Sequence, residues 1–387
     1  MGTSRGTRPK MHAPQHVSDK SEEDGYSTLT APRRARGESA GRELRVGVPA
    51  PFEPLHPEAT NYQWVLKKAM SLIEQDLAKV ETCIVQGLAS SDPSIQPMLD
   101  HVRTLGGKRL RPCLTLLSAK ACGGVTEETI RLAAAIELVH TATLVHDDIL
   151  DGADQRRHRP TTHTLWGVQD AILLGDWLFT HAYELANQGE STYPGRCIAR
   201  AAKLVCEGEI RQGRSVGNLD LAESDYYDIL GAKTGALCEV SCRLGAWSAN
   251  ASDSISERFA QYGYGLGVAF QIYDDWLDIW GDAASTGKTL GTDLEARKPT
   301  LPVIHALASP GGQGLRDVLV ASDAVSFPKV RSYFDAVGAS EYTLDSAHQW
   351  GRRAISHLNR MDGVYTAHQE SLQALQLLAY AATHRAA

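Results

Sequence analysis

From about Tyr62 to the C-terminus, apolar residues return every three or four positions, the spacing of one helix face rather than the alternation of a strand. Leu66, Met70, Ile73, Leu77, Val80 and Ile84 form the first such stripe and predict an amphipathic helix. A second helix is predicted over "TEETIRLAAAIELVHTATLVHDDILD". Thr126 opens it as a cap, with Glu127 and Glu128 in the first turn, where the helix dipole favours anions. No run alternates apolar and polar residues convincingly enough for a sheet. Glycine and proline punctuate between helices at Gly106-Gly107, Pro112, Gly123-Gly124, Gly167 and Pro299. The pattern predicts one all-α domain over residues 59–387. That is large for a single core and points to an enclosed cavity or a broad dimer interface.

The first 58 residues break the pattern. They are rich in Gly, Ser, Pro, Arg and acids, with too few apolar side chains to offset the entropy of ordering, and are predicted to be a disordered tail. A targeting peptide would avoid acids, so Glu22, Glu23 and Asp24 argue against one. Over the whole chain, 43% hydrophobic and 22% charged residues describe a soluble globular protein. A net charge of -7 gives no general attraction for nucleic acid. No apolar run reaches the roughly 18 residues of a membrane helix, so no integral membrane segment is expected. The 7 cysteines contain no CxxC pair and fit reduced, packed thiols. Cys238 and Cys242, one helical turn apart, are taken as core positions rather than redox or metal chemistry. A cytoplasmic protein is expected.

Against this background two stretches stand out. "LVHDDILDGADQRRHRPTTH" crowds Asp147, Asp148 and Asp151 into one turn, and "FQIYDDWLDIWGD" repeats the spacing with Asp274, Asp275 and Asp278. Asp147 and Asp151 share a helix face, with Asp148 about 100° round. Two carboxylates ~4 Å apart repel by roughly 4 kcal/mol at an effective dielectric near 20, which proton uptake or a cation would relieve. A solvated acidic face is the plain alternative. The apolar "ELVHTATLV" and "GLGVAFQIY" that lead into the clusters speak against it. So do the bases that follow: Arg156 and Arg157 after the first cluster, Lys288 and Lys298 after the second. Carboxylate ligands select hard ions such as magnesium, and arginine and lysine are the usual partners of phosphate. Together they describe a diphosphate site. "GGKRLRPCLTLL" adds Lys108, Arg109 and Arg111 as a second anion site, with none of the glycine spacing of a nucleotide loop.

These segments, "GGKRLRP", "HTATLVHDDILDGADQRRHRPT" and "AFQIYDDWLDIWGD…TGKTLGTDLEARKPTLP", resemble the motifs of head-to-tail trans-prenyl diphosphate synthases, the polyprenyl synthetase family. "AILLGDWLF", "EGEIRQ" and "GAKTGAL" stand between them in the family's order. The resemblance runs from about residue 60 to the C-terminus. It implies the isoprenoid synthase fold, with helices around a deep central cavity, usually in a homodimer. It also implies the joining of isopentenyl diphosphate to an allylic diphosphate. The allylic carbon–oxygen bond ionises, the isopentenyl double bond attacks the cation, and a proton is lost. On that resemblance Asp147, Asp148, Asp151, Asp274, Asp275 and Asp278 would bind Mg2+. Arg156, Lys233, Thr234, Gln271 and Lys288 would hold the allylic diphosphate. Lys108, Arg111, His140 and Arg157 would hold isopentenyl diphosphate, with Lys298 near the second motif. Asp147, Asp148, Lys233 and Asp274 would carry the catalysis. His146 is expected to be structural or to support the aspartates beside it, and His158 stands where the family commonly has glycine.

In the family, bulky aromatics four or five residues before the first aspartate close the product pocket early. Here those places hold Thr143 and Ala142, so a deeper pocket is expected. "HTATLVHDD" resembles the long-chain quinone side-chain synthases. Products of at least twenty carbons follow, with about thirty-five to fifty favoured over a geranylgeranyl or farnesyl product. A terpene cyclase would carry a different second motif and would not need "GGKRLRP". A head-to-head synthase would space its aspartates differently, and a non-catalytic partner subunit would lack some of these acids or bases. A surface-acidic binding protein leaves the arginines and lysines unexplained.

Overall fold

The computed structural model describes residues 61–282, 290–321, 326–359 and 368–384. The tail expected over 1–58 and Lys288 lie outside them. Helices α1 (Tyr62–Ser71), α2 (Glu74–Gly87) and α3 (Gln96–Leu105) lead to α4 (Leu110–Cys122) and α5 (Glu127–Leu150). A short ribbon follows, β1 (Gln155–Arg156) antiparallel to β2 (Arg159–Pro160), then α6 (Thr162–Trp166), α7 (Val168–Ala186), α8 (Tyr193–Ser215) and α9 (Glu223–Leu230). A π-helical turn, Gly231–Gly235, runs into α10 (Ala236–Ser248), and α11 (Asp253–Trp280) comes next. Four short helices, α12 (Thr292–Glu295), α13 (Leu301–Ala308), α14 (Gly312–Ala321) and α15 (Phe327–Ala336), precede α16 (Ala339–Asn359) and α17 (Gln369–Ala382). The all-α expectation holds, with β1–β2 as the one small exception among the described residues.

The two aspartate-bearing helices are the longest of these, α5 with 24 residues and α11 with 28. Helix α5 is apolar around most of its circumference, and from Thr129 to Val139 every side chain but Arg131 is buried. It packs on α2, α4, α7 and α10, while α11 packs on α10 and α16. Thr126 caps α5 as expected: its hydroxyl accepts from the Thr129 N–H, and the Thr129 hydroxyl accepts in return from the Thr126 N–H. Close approach fixes α11 against α10. A Cβ at Gly263 would stand 2.3 Å from the Cys238 carbonyl oxygen, and one at Gly267 would stand 2.8 Å from the Cα of Gly235. Glycine there lets the π-helical turn lie directly on α11.

The stripe from Leu66 to Ile84 is divided between α1 and α2, with Leu66, Ile73, Val80 and Ile84 all buried. The break at Leu72 and Ile73 frees the Leu72 carbonyl, which the Lys120 ammonium takes as an acceptor. Pro112 separates nothing. It stands in the first turn of α4, where a missing N–H removes no intrahelical bond. Cys238 and Cys242 are core residues, and burial pushes both thiols up. Among the described residues no helix is long and apolar enough to cross a membrane.

Candidate active site

A cavity of about 1080 Å³ opens between α5 and α11. Asp147 and Asp151 line it from α5, and Asp274, Asp275 and Asp278 line it from α11. Lys108, Arg111, His140, Arg156, Arg157, Lys233, Thr234, Gln271 and Lys298 are on its polar wall, with Arg109, Glu137, Glu209 and Asp293 beside them. Of the described residues expected to bind metal or diphosphate, Asp148 alone is missing from that wall. It is buried, 2% exposed, and its Oδ1 accepts from the Arg156 Nε at 2.7 Å. The 100° offset on the helix is the reason: Asp147 and Asp151 face the cavity and Asp148 turns aside. Its direct contact is therefore with an arginine of the wall.

Arg156 reaches back because β1 and β2 make a two-residue hairpin. Arg157 and His158 form its tip with φ of 52° and 63°, and Arg156 pairs with Arg159. Both tip residues are left-handed, as in a type I′ turn, which normally selects Asn-Gly. The turn explains why glycine is natural where His158 stands. His158→Gly is expected to stabilise the fold by about 0.5–1 kcal/mol, relief of the left-handed strain outweighing the looser unfolded chain. Chemical denaturation of the two proteins would measure it. The other tip residue, Arg157, donates from Nη1 to the Leu105 carbonyl at 2.9 Å and to that of Gly106. The hairpin is thereby tied to the end of α3.

Charge is concentrated around Asp147. Burial, with the charges of Glu209 and Asp151 beside it, pushes its carboxyl up to about 6 against the pull of Lys233 and Arg156. Lys233 projects from the π-helical turn, a local widening often found at functional sites. Its ammonium is held by Glu209 at 2.5 Å and donates to the Gln212 Oε1 at 2.6 Å. The Lys298 ammonium stands 3.8 Å from Asp151, linking the segment after α11 to the first cluster. His140 lies among arginines. Burial, then the charges of Arg111, Arg156, Arg157 and Arg109, hold it well below the usual imidazole range, so it is neutral.

The second cluster is divided in its contacts. Asp275 is buried, accepting from the Tyr226 hydroxyl at 2.8 Å and from Gln271 Nε2 at 3.1 Å. Burial and the neighbouring Asp293 raise its carboxyl well above the usual range. The Thr234 hydroxyl donates to Gln271 Oε1 at 3.2 Å, joining the π-helical turn to the same network. Asp278 accepts from the Thr292 N–H, the Thr292 hydroxyl and the Asp293 N–H at 2.7–3.1 Å and so fastens the start of α12. Asp274 lines the same cavity beside Asp275.

A family model described as polyprenyl synthetase matches residues 92–334. The chain belongs to the polyprenyl synthetase family. It is accordingly a prenyltransferase. It is 31% identical to the octaprenyl diphosphate synthase of Escherichia coli (strain K12) over 297 residues, 76% of this chain and 92% of that protein. The polyprenyl synthase of Caulobacter crescentus CB15, solved with calcium and isoprenyl diphosphate, superposes with a TM-score of 0.75 at 34% identity. That match covers 83% of this chain and 98% of the other. A decaprenyl diphosphate synthase from Rhodobacter capsulatus superposes with a TM-score of 0.76 at 31% identity, covering 82% and 98%.

In this polyprenyl synthetase several residues of the site carried no assignment in the sequence. Glu209 and Gln212 lie in "EGEIRQ", a segment noted only for its order, yet they hold Lys233. Tyr226, which stands in no motif, and Asp293, which lies in the second motif segment without an assigned role, frame Asp275. The expected pocket lining needs correction at one place. Thr143 is on the cavity wall, but Ala142 is fully buried in the core and absent from it. Before Asp147, α5 instead lines the cavity with Leu138, Thr141, Thr143 and Leu144, beside Glu137 and His140. His146 is turned outward, its Nε2 3.0 Å from the Ile172 carbonyl oxygen and 3.9 Å from Asp176, which agrees with a structural part.

Proposed function

We propose that the cavity joins isopentenyl diphosphate to an allylic diphosphate head to tail, giving an all-trans polyprenyl diphosphate. The observation that carries this is the arrangement of the wall. Two aspartate clusters on separate helices meet across one cavity with Lys233, Arg156, Arg111 and Lys108 between them. Leu138, Leu144, Val205, Leu237, Leu266 and Phe270 give the wall an apolar part. Lys233, fixed by Glu209 and Gln212, and Arg156, fixed by Asp148, would hold the allylic diphosphate, with Thr234, Gln271, Lys298 and Lys288 alongside. Lys108, Arg111, Arg157 and the neutral His140 would receive isopentenyl diphosphate. The apolar wall would shelter the allylic cation from water while the new carbon–carbon bond forms and the proton leaves.

The donor set fits Mg2+. Among the described residues no three acidic, histidine or cysteine side chains converge closely enough to hold an ion unaided. Magnesium is usually held by one or two carboxylates completed by phosphate oxygens and water. Burial and the neighbouring carboxylates raise Asp147, and a cation would relieve both. Asp147 and Asp151 on one side and Asp274 on the other would be its ligands. Asp275 and Asp278 would orient that wall through Gln271 and Thr292, and Asp148 would act through Arg156. When bound, magnesium would offset charge developing on the leaving diphosphate.

A long product, about thirty-five to fifty carbons, is favoured by similarity to proteins named octaprenyl and decaprenyl diphosphate synthases. A homodimer in the cytoplasm is the setting proposed. Leu165, Val168, Ile172 and Leu173, all exposed on α6 and α7, form an apolar face suited to a second copy. The test is incubation of the purified protein with labelled isopentenyl diphosphate, magnesium and farnesyl or geranylgeranyl diphosphate, followed by sizing of the dephosphorylated products. Magnesium-dependent elongation past twenty carbons is expected. Absence of elongation would refute the activity, and arrest at fifteen carbons would refute the long product.

A further inference from the structure

Lys108 and Arg111 flank a junction, the loop into α4, whose backbone is unfavourable. Gly106 has φ of 57°, and Arg109, the residue that opens α4, is left-handed at φ 50° and ψ 35°. A long side chain persists in that region only where its surroundings impose it. Here the Arg109 guanidinium is held on two sides. Its Nε and Nη2 donate to the two carboxylate oxygens of Glu81 on α2, the second at 3.0 Å, and its Nη1 donates to Glu137 Oε1 on α5 at 3.1 Å. Gly107 sits where this grip meets the hairpin. A Cβ there would lie 3.1 Å from Arg109 Nη1, 3.3 Å from Glu137 Oε1 and 3.7 Å from Arg157 Nη1.

Glu81 is absent from the cavity wall, whereas Glu137 is on it and buried. The Glu137 Oε2 has no hydrogen-bond partner among the described residues, and neither has the buried Nε of Arg111. The Glu137 carboxylate therefore lies under the influence of both Arg109 and Arg111 while bonding only the first. Arg109 also lines the cavity, yet three of its five guanidinium N–H groups are donated to the carboxylates of Glu81 and Glu137.

We infer that Glu81, Arg109 and Glu137 form a positioning network for the isopentenyl diphosphate subsite. It holds the loop left-handed at Arg109 so that Lys108 and Arg111 meet the diphosphate in a fixed geometry. Arg109 is a positioning residue in this arrangement and takes no part in holding the substrate. The inference rests on the assignment of Lys108 and Arg111 to isopentenyl diphosphate made above.

Glu81 provides the discriminating test, because it is outside the cavity. Steady-state kinetics of the full-length protein with each substrate varied would be measured for Glu81→Gln, Arg109→Ala and Arg109→Gly. Glu81→Gln should raise KM for isopentenyl diphosphate by about tenfold, with kcat and the allylic KM within about twofold of the parent. Arg109→Gly, which adopts the left-handed shape freely, should be affected less than Arg109→Ala. Glu81→Asp should restore part of the loss. A ligand role for Arg109 predicts the opposite pattern: glycine and alanine equally damaging and Glu81→Gln silent, and that outcome would overturn the network. Melting temperatures with and without isopentenyl diphosphate give a second readout. A variant that is folded but has lost only the shift caused by isopentenyl diphosphate supports the network. A variant whose shift matches the parent's refutes it. Failure of the activity itself would appear differently, as a parent protein that does not elongate.

Discussion

Replacing Asp147 by asparagine is expected to lower turnover by about three orders of magnitude and, in the absence of metal, to make the protein more stable at neutral pH. The two effects have one origin. Asp147 is largely removed from water and also lies beside the charges of Glu209 and Asp151, which pushes its carboxyl up to about 6 from an ordinary 3.8. A carboxyl raised on folding binds its proton more tightly in the folded than in the unfolded chain. Its contribution is therefore fully present below about pH 4 and is lost as pH rises through about 6. The ionised group at pH 7 thus costs the metal-free fold about 3 kcal/mol. Asparagine keeps the shape without that charge. Thermal melts across pH 4–7 should show parent and variant converging in acid and separating towards neutrality, the variant higher. Added magnesium should narrow the gap by raising the parent alone. A variant retaining a tenth of its turnover, or one whose stability advantage does not grow with pH, would count against Asp147 as the metal-facing carboxylate.

The same crowding shows what the sequence could and could not disclose. Spacing alone put Asp147 and Asp151 on one face and Asp148 aside, and the structure agrees. Spacing could not show that Asp148 meets Arg156, because the chain must first reverse through a hairpin whose tip, Arg157-His158, lacks the glycine or asparagine that signals left-handed φ. Lys233 and Gln271 were recognisable through motifs. Their supports Glu209, Gln212 and Tyr226 were not, since a helix pattern says which residues share a face but not which element faces them. Arg109 illustrates the limit most sharply. Its two carboxylate partners lie 28 residues before it and 28 after it, each on a different helix. Helix α5 hid a different fact. Because it is apolar nearly all round, periodicity could not separate the side that lines a cavity from the side that fills a core, and Ala142 was placed on the wrong one.

That distinction decides how product length should respond to bulk. Thr143→Phe is expected to shorten the product, whereas Ala142→Phe is expected to damage the fold and leave product length unaltered. Thr143 lies one helical turn before Asp147 on the cavity wall, its hydroxyl donating to the His140 carbonyl at 2.8 Å. A phenyl ring there projects into the space a growing chain must enter, while the diphosphate end of the wall is untouched, so early condensations continue and late ones stop. Ala142 is fully buried and off the wall. Forcing a ring into that packed position should cost at least about 1–3 kcal/mol in displaced neighbours. Sizing the dephosphorylated products beside a melting curve for each variant separates the two effects. Shortening by Ala142→Phe at an unchanged melting temperature, with Thr143→Phe without effect, would mean that the chain grows along a different side of α5. The wall now assigned to Leu138, Thr141, Thr143 and Leu144 would then have to be abandoned.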